Sequence, residues 1–266
     1  MSDPQIITDS QLLEQFVEKA QKEPAPVIKT RAPSESEVQL PGGHFDKDGE
    51  LHNTAEVREL TGADEEAVSK AGSTGKALNV LLQRGLTKIG GNAVTQSDLD
   101  TLLAGDRDAI LLGIRRVTFG PTATLAVRCL ECMTEGTEEI DLTKDVPIKK
   151  LENPIEDRAW SMETKKGTVE VRLPNGLTQK KLMENYDKTS AEINTLLLSG
   201  CIVSLDGAPS VGAGTALSLG MADRTKIVEE IIKRNPGPRL GEVKKPCKAC
   251  GESMDLPLSL LDLFRI

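Results

Sequence analysis

Apolar residues in the first stretch of the chain return at helical spacing. Ile6, Leu12, Leu13, Phe16, Val17 and Ala20 share roughly one face of a segment from residue 4 to 22, which predicts an amphipathic helix. A proline- and charge-rich run, EPAPVIKTRAPSESE, follows and reads as a linker. The pattern then changes period. VQLPGGHFDKDGELHNTAEVREL predicts two strands around the turn Lys47-Asp48-Gly49. TGADEEAVSKA predicts a helix capped by Thr61 or Asp64, and TGKALNVLLQRGLTKIGG a second amphipathic segment stopped by Gly90 and Gly91. A short capped helix and a longer one, about 104 to 116, come next. TATLAVRC and TEEIDL are then two strands around a cysteine-bearing turn.

The second half follows the same plan. GTVEVRLPNG predicts a strand and turn, LTQKKLMENYDKTSAEINTLLLSGC two helices, CIVSLDG a strand, and TALSLGMADRTKIVEEIIKRNPG a helix pair. PRLGEVKKPC predicts a strand entering a second cysteine turn. Asp106-Arg107 corresponds to Asp223-Arg224, and Gly120-Pro121 and Gly237-Pro238 each lie fourteen residues further on. Cys129 is 23 residues past Asp106, and Cys247 is 24 past Asp223. EVREL and EVRLP stand at comparable distances upstream. These matches predict a diverged internal duplication, roughly 57–142 and 171–256. The expected class is α+β: an arm over 1–35, a first repeat with its cysteine hairpin over 36–150, and a second over 151–266.

Composition narrows the possibilities. The 266 residues include only six aromatic side chains, so the core must rest on aliphatic residues. The net charge of −8 speaks against a nucleic-acid ligand, because phosphate binding needs clustered Lys and Arg. No run of 18 apolar residues is present to span a membrane, and the polar first residues do not read as a signal peptide. A chain folded in reducing cytoplasm uses CxxC pairs for metal or redox work before structural disulfides.

Four of the five cysteines form two such pairs, Cys129/Cys132 and Cys247/Cys250. Zinc takes four ligands in a tetrahedron, and one pair supplies two. The inference is that both pairs converge on one structural Zn2+ and staple the two hairpins together. Redox chemistry is the poorer reading, since neither pair opens a helix after a strand; two unconnected pairs are the other alternative. Gly251 suits the turn after Cys250, where Met133 stands in the first pair. Cys201, in LLLSGCIVSL, reads as a buried free thiol.

Other chemistry is sparse. His44 and His52 read as polar residues at a turn surface, far from the cysteines. NAVTQSDLDTLLAGDRD lacks EF-hand spacing, and VGAGTALSLG lacks the context of a phosphate loop. Asp106, Asp108 and Asp223 sit at helix starts, where acids suit the amide-rich end. No nucleophile-base or carboxylate pair presents itself, so a non-enzymatic scaffold without small-molecule substrate is expected. The apolar end LPLSLLDLFRI either packs on its own ribbon or docks on a partner through Leu261 and Phe264; the leading helix offers Leu12 and Phe16 in the same role.

Taken in order, the motifs resemble a known family. They are RELTGADEE (Arg58, Leu60, Thr61, Gly62, Asp64, Glu65, Glu66), the helix exit with Arg116 and Gly120, the four cysteines, and the tail with Phe264. The chain over 36–266 resembles the baseplate hub proteins of contractile-tailed phages. That resemblance implies a virion component assembled in the host cytoplasm with other tail proteins as partners, or a chaperone needed for that assembly. A zinc-ribbon nucleic-acid adaptor is the alternative of another class.

Overall fold

A computed structural model describes residues 36–185 and 187–264. The predicted leading helix, with Leu12 and Phe16, lies outside them. The described residues belong to one compact unit, Ser34–Ile266. It is a mixed α+β body with several small antiparallel sheets.

Strands β1 (Glu37–Phe45) and β2 (Leu51–Val57) form the expected hairpin around residues 46–50. Helices α1 (Gly62–Ser69) and α2 (Thr74–Gly85) follow, then β3 (Leu86–Ile89) and β4 (Asn92–Ala93). The four strands make one sheet in the order β1-β2-β3-β4. Helices α3 (Gln96–Thr101) and α4 (Ala104–Phe119) complete the series. The second half runs β8 (Ala159–Thr164), β9 (Gly167–Arg172), α5 (Gly176–Glu184), α6 (Ser190–Cys201), β10 (Ile202–Leu205), β11 (Ala208–Pro209), α7 (Ala213–Ser218) and α8 (Met221–Arg234). Its sheet order is β8-β9-β10-β11, so strand-strand-helix-helix-strand-strand-helix-helix occurs twice.

Each series is followed by a hairpin: β5 (Thr122–Arg128) with β6 (Glu135–Asp141), and β13 (Lys244–Pro246) with β14 (Ser253–Asp255). Between them, β7 (Ile148–Lys149) pairs with β12 (Gly237–Pro238). A short helix, α9 (Leu260–Phe264), ends the described chain. Each four-stranded sheet with its helices holds one apolar core, and the two hairpins share a third. Helix α4 faces two of these: Ile110 and Ile114 enter the first core, Leu112 the hairpin core.

Several expectations change. Helix α4 extends to Phe119, where Gly120 at φ 84 ends it and Arg115 reaches the Gly120 carbonyl. The strand expected over PRLGEVKKPC is broken by a 3-10 turn at Leu240–Glu242 and shrinks to β13. His44 does not lie at the surface. It is buried, with Nε2 3.0 Å from the Asp98 carboxylate, because β1 turns that position toward α3.

The RELTGADEE motif proves to be a helix start. Asp64, fully buried at the third position of α1, accepts from the Thr61 amide and hydroxyl. Arg58 donates to both its oxygens, at 2.8 and 2.9 Å, and Arg84 adds a third contact at 3.2 Å. The Arg58 guanidinium holds this carboxyl well below the ordinary range, with Thr61 and Arg84 adding to the effect and burial opposing it.

Replacing Asp64 with Asn should lower the unfolding free energy at pH 7 by about 2 kcal/mol, since charge-assisted bonds from two arginines are lost. A depressed folded pKa contributes stability that is full above the unfolded value, about 4, and disappears as pH falls through the folded one. The gap between wild type and variant in urea midpoints should therefore close on acidification.

Candidate metal centre

Both hairpins end in the same bend. In the first, the Cys129 amide donates to the Thr134 carbonyl (3.0 Å) and the Met133 amide to the Cys129 carbonyl (3.0 Å). In the second, the Cys247 amide donates to the Glu252 carbonyl (2.7 Å) and the Gly251 amide to the Cys247 carbonyl (2.8 Å). The residue after the second cysteine is left-handed in both: Met133 at φ 60, Gly251 at φ 78. Glycine takes that conformation freely; methionine does so at a cost of about 1 kcal/mol.

The bends face one another. Sγ of Cys129 lies 3.7 Å from that of Cys250, and Cys132 lies 3.7 Å from Cys247. All four sulfurs fall within 4.8 Å of each other. A tetrahedral zinc with bonds of about 2.3 Å separates its sulfurs by about 3.8 Å, so the donor set fits that ion in number, type and spacing. Cys129 and Cys247 are buried in the hairpin core, whereas Cys132 and Cys250 are exposed. Lysines clip the hairpins from outside. Lys245 reaches Asp145 at 2.6 Å and the Glu139 carbonyl at 2.8 Å; Lys248 reaches Glu138 at 2.8 Å.

Electrostatics favour a cation. The hydroxyl and amide of Thr134 lower the Cys132 thiol to about 6. Cys250 accepts from the Glu252 amide, yet hydrogen bonding to Cys132, with burial and the other two thiols, pushes it up to about 12. One sulfur ionises only while a neighbour keeps its proton; a divalent ion removes that conflict. The four-sulfur set leaves no open coordination position, which is the pattern of a structural zinc.

Cys201 stands apart, buried in the second core, its thiol pushed up to about 12 by burial. A second possible ligand group escaped sequence reading. Asp46, Glu50 and His52 bring three donor atoms within 4.8 Å, and His52 Nε2 lies 2.9 Å from Asp46. Aspartates and histidines alternating along a turn gave no signal beyond polarity.

A family model described as "T4 bacteriophage base plate protein" matches residues 36–209. The chain belongs to this family. It is a phage base plate protein, as the RELTGADEE and CLEC motifs indicated. No curated protein and no solved structure matches the chain. The matched span contains the first cysteine pair and ends before the second, so the family model carries only half of the sulfur set. No helix among the described residues is long and apolar enough to cross a membrane.

The C-terminal segment of this base plate protein turns inward. Phe264 is buried against the first core, its ring edge-on to Phe119 at 6.5 Å, and Leu261 packs on the same core. Leu263 enters the hairpin core, and its carbonyl accepts from Arg115.

Cys247→Ser should reduce bound zinc from about one ion per chain to none and lower stability by several kcal/mol, read by elemental analysis and thermal melting. Met133→Gly should leave zinc content unchanged and raise stability by about 1 kcal/mol, since Met133 is exposed and only backbone strain is relieved.

Proposed function

We propose that this base plate protein is a non-enzymatic building block of the hub–wedge region of a contractile tail. Its body is an internal duplication braced by one zinc ion on Cys129, Cys132, Cys247 and Cys250, and its ligands are other tail proteins. The observation that carries this reading is the base plate family match over 36–209. The four clustered sulfurs and the recurring element order support the finer parts.

The duplication reading draws further support from the cores. Val57, Leu82, Leu86, Leu102, Ile110 and Ile114 are buried, and so are Val171, Leu198, Ile202, Leu219, Ile227 and Ile231 at the corresponding places of the second series. Arg107 and Arg224 also repeat. Each donates through Nη1 to the carbonyl eight residues upstream, Leu99 at 2.7 Å and Ala216 at 3.0 Å. Each donates through Nη2 to the sixth residue of a preceding helix, Asn79 in α2 and Thr195 in α6. The repeats correspond to 36–150 and 151–266, behind an arm over 1–35. Leu12 and Phe16 of the arm are proposed partner contacts. Leu261 and Phe264 are proposed as the seat of a docking surface, through the ground they share with the exposed Phe119.

Quantitative mass spectrometry of purified virions tests the role. Fixed stoichiometric copies are expected; a protein abundant in lysate and missing from particles would instead make it an assembly chaperone.

A further inference from the structure

The two repeats meet head to tail, and the contact is specific. The peptide 102–105 of the first repeat is gripped by the second. The Ala104 amide donates to the Pro174 carbonyl at 2.9 Å, the Gly176 amide donates to the Leu102 carbonyl at 2.9 Å, and Leu103 bridges to Asn175. Arg107 Nε donates to Gln179 Oε1 at 2.6 Å. Pro236 and Gly237 close on Gly105 from another side. Gly176 has no room for a side chain, because a Cβ there would fall on the Leu99 carbonyl.

Every part of this joint has a counterpart that the chain leaves uncovered. On the gripped side, 219–222 corresponds to 102–105. Met221 is 87% exposed where Ala104 is 8% exposed, and Leu217 beside it is 65% exposed. Arg224 repeats the Nη contacts of Arg107, yet its Nε finds no partner among the described residues. On the gripping side, 60–62 corresponds to 174–176, Glu65 to Gln179, and Phe119 to Pro236. Leu60, Gly62, Glu65 and Phe119 line one apolar groove of about 560 Å³. Phe119 is 59% exposed, and a Cβ on Gly62 would meet nothing within 4 Å. Where the internal joint sets neutral Gln179 against Arg107, the groove sets a carboxylate where the free Arg224 Nε would arrive.

We propose that a second copy of this chain occupies the groove. The peptide 219–222 of one copy enters between 60–62 and Phe119 of the next, Met221 seats on Leu60 and Phe119, and Arg224 pairs with Glu65. The contact repeats between chains what joins the repeats within one. It is heterologous, so each copy keeps one free groove and one free peptide, and assembly proceeds to a ring or an open row. This inference rests on the duplication proposed above and is independent of zinc and of virion copy number.

Sedimentation velocity on the full chain tests it, up to about 100 µM, where a micromolar contact is largely filled. Wild type should form concentration-dependent species larger than a dimer. Gly62→Trp, which fills the groove, and Met221→Asp, which charges the peptide, should each be monomeric, with melting temperatures and zinc content of wild type because both positions are exposed. An equimolar mixture of the two variants retains one sound groove and one sound peptide, and should stop at the dimer. A wild type that stays monomeric throughout, as it would if another protein filled the groove, overturns the proposal. So does a variant that assembles like wild type, or a mixture that remains monomeric.

Discussion

A buried guanidinium holds the halves of this base plate protein in register. Arg107 is almost fully enclosed, and its three donating nitrogens reach α2 through Asn79, α3 through the Leu99 carbonyl and α5 through Gln179. A charge taken out of water is tolerated only when its donors are satisfied. Burial lowers the Arg107 pKa, with the nearby acids Asp108 and Asp100 acting against it. Gln179 completes the arrangement by donating to Asp108, whose carboxyl burial pushes up to about 6. Loss of any one acceptor would leave a buried cation under-satisfied. The angle between the first repeat and α5 is therefore set by three geometries at once.

Around that joint the chain is tied at distances that local structure cannot reach. Asp106, next in line, accepts from the Gly42 amide at 2.7 Å, bringing β1 onto α4. Its other oxygen is buried without a partner, and burial drives the carboxyl up to about 7, with the Gly42 amide and Arg158 working against it. In the second repeat Asp223 accepts from the Lys165 amide in the β8–β9 turn. A helix-start acid that ties down a strand turn is thus used twice, with the first use more deeply enclosed because the second repeat lies over it.

The parts legible in the sequence were those with a local code. Helix and strand periods, the Gly120 stop and the CxxC bends all depend on residues within a few positions of one another. The meeting of the two cysteine pairs was legible through ligand number, since zinc needs four donors and each bend offers two. Arg107 was not legible as a joint, because Asn79 and Gln179 lie 28 and 72 residues away and nothing in spacing links them. His44 failed for the same reason: its partner Asp98 is 54 residues distant, and a histidine beside a turn resembles any surface residue. The fate of the apolar tail was undecidable from composition, which shows that Leu263 and Phe264 must be covered but not by what.

The separation of the two cysteine bends orders events during synthesis. Cys132 and its partner Cys247 are 115 residues apart, so a ribosome that has made the first pair must translate the whole second repeat before the other sulfurs exist. Two thiolates alone hold a metal weakly, and four hold it firmly. A polypeptide abandoned midway would therefore emerge with Cys129 and Cys132 unpaired and its third core half built. Closure of the bends would in this way mark a chain translated through its second pair, a quality check written into the order of the residues.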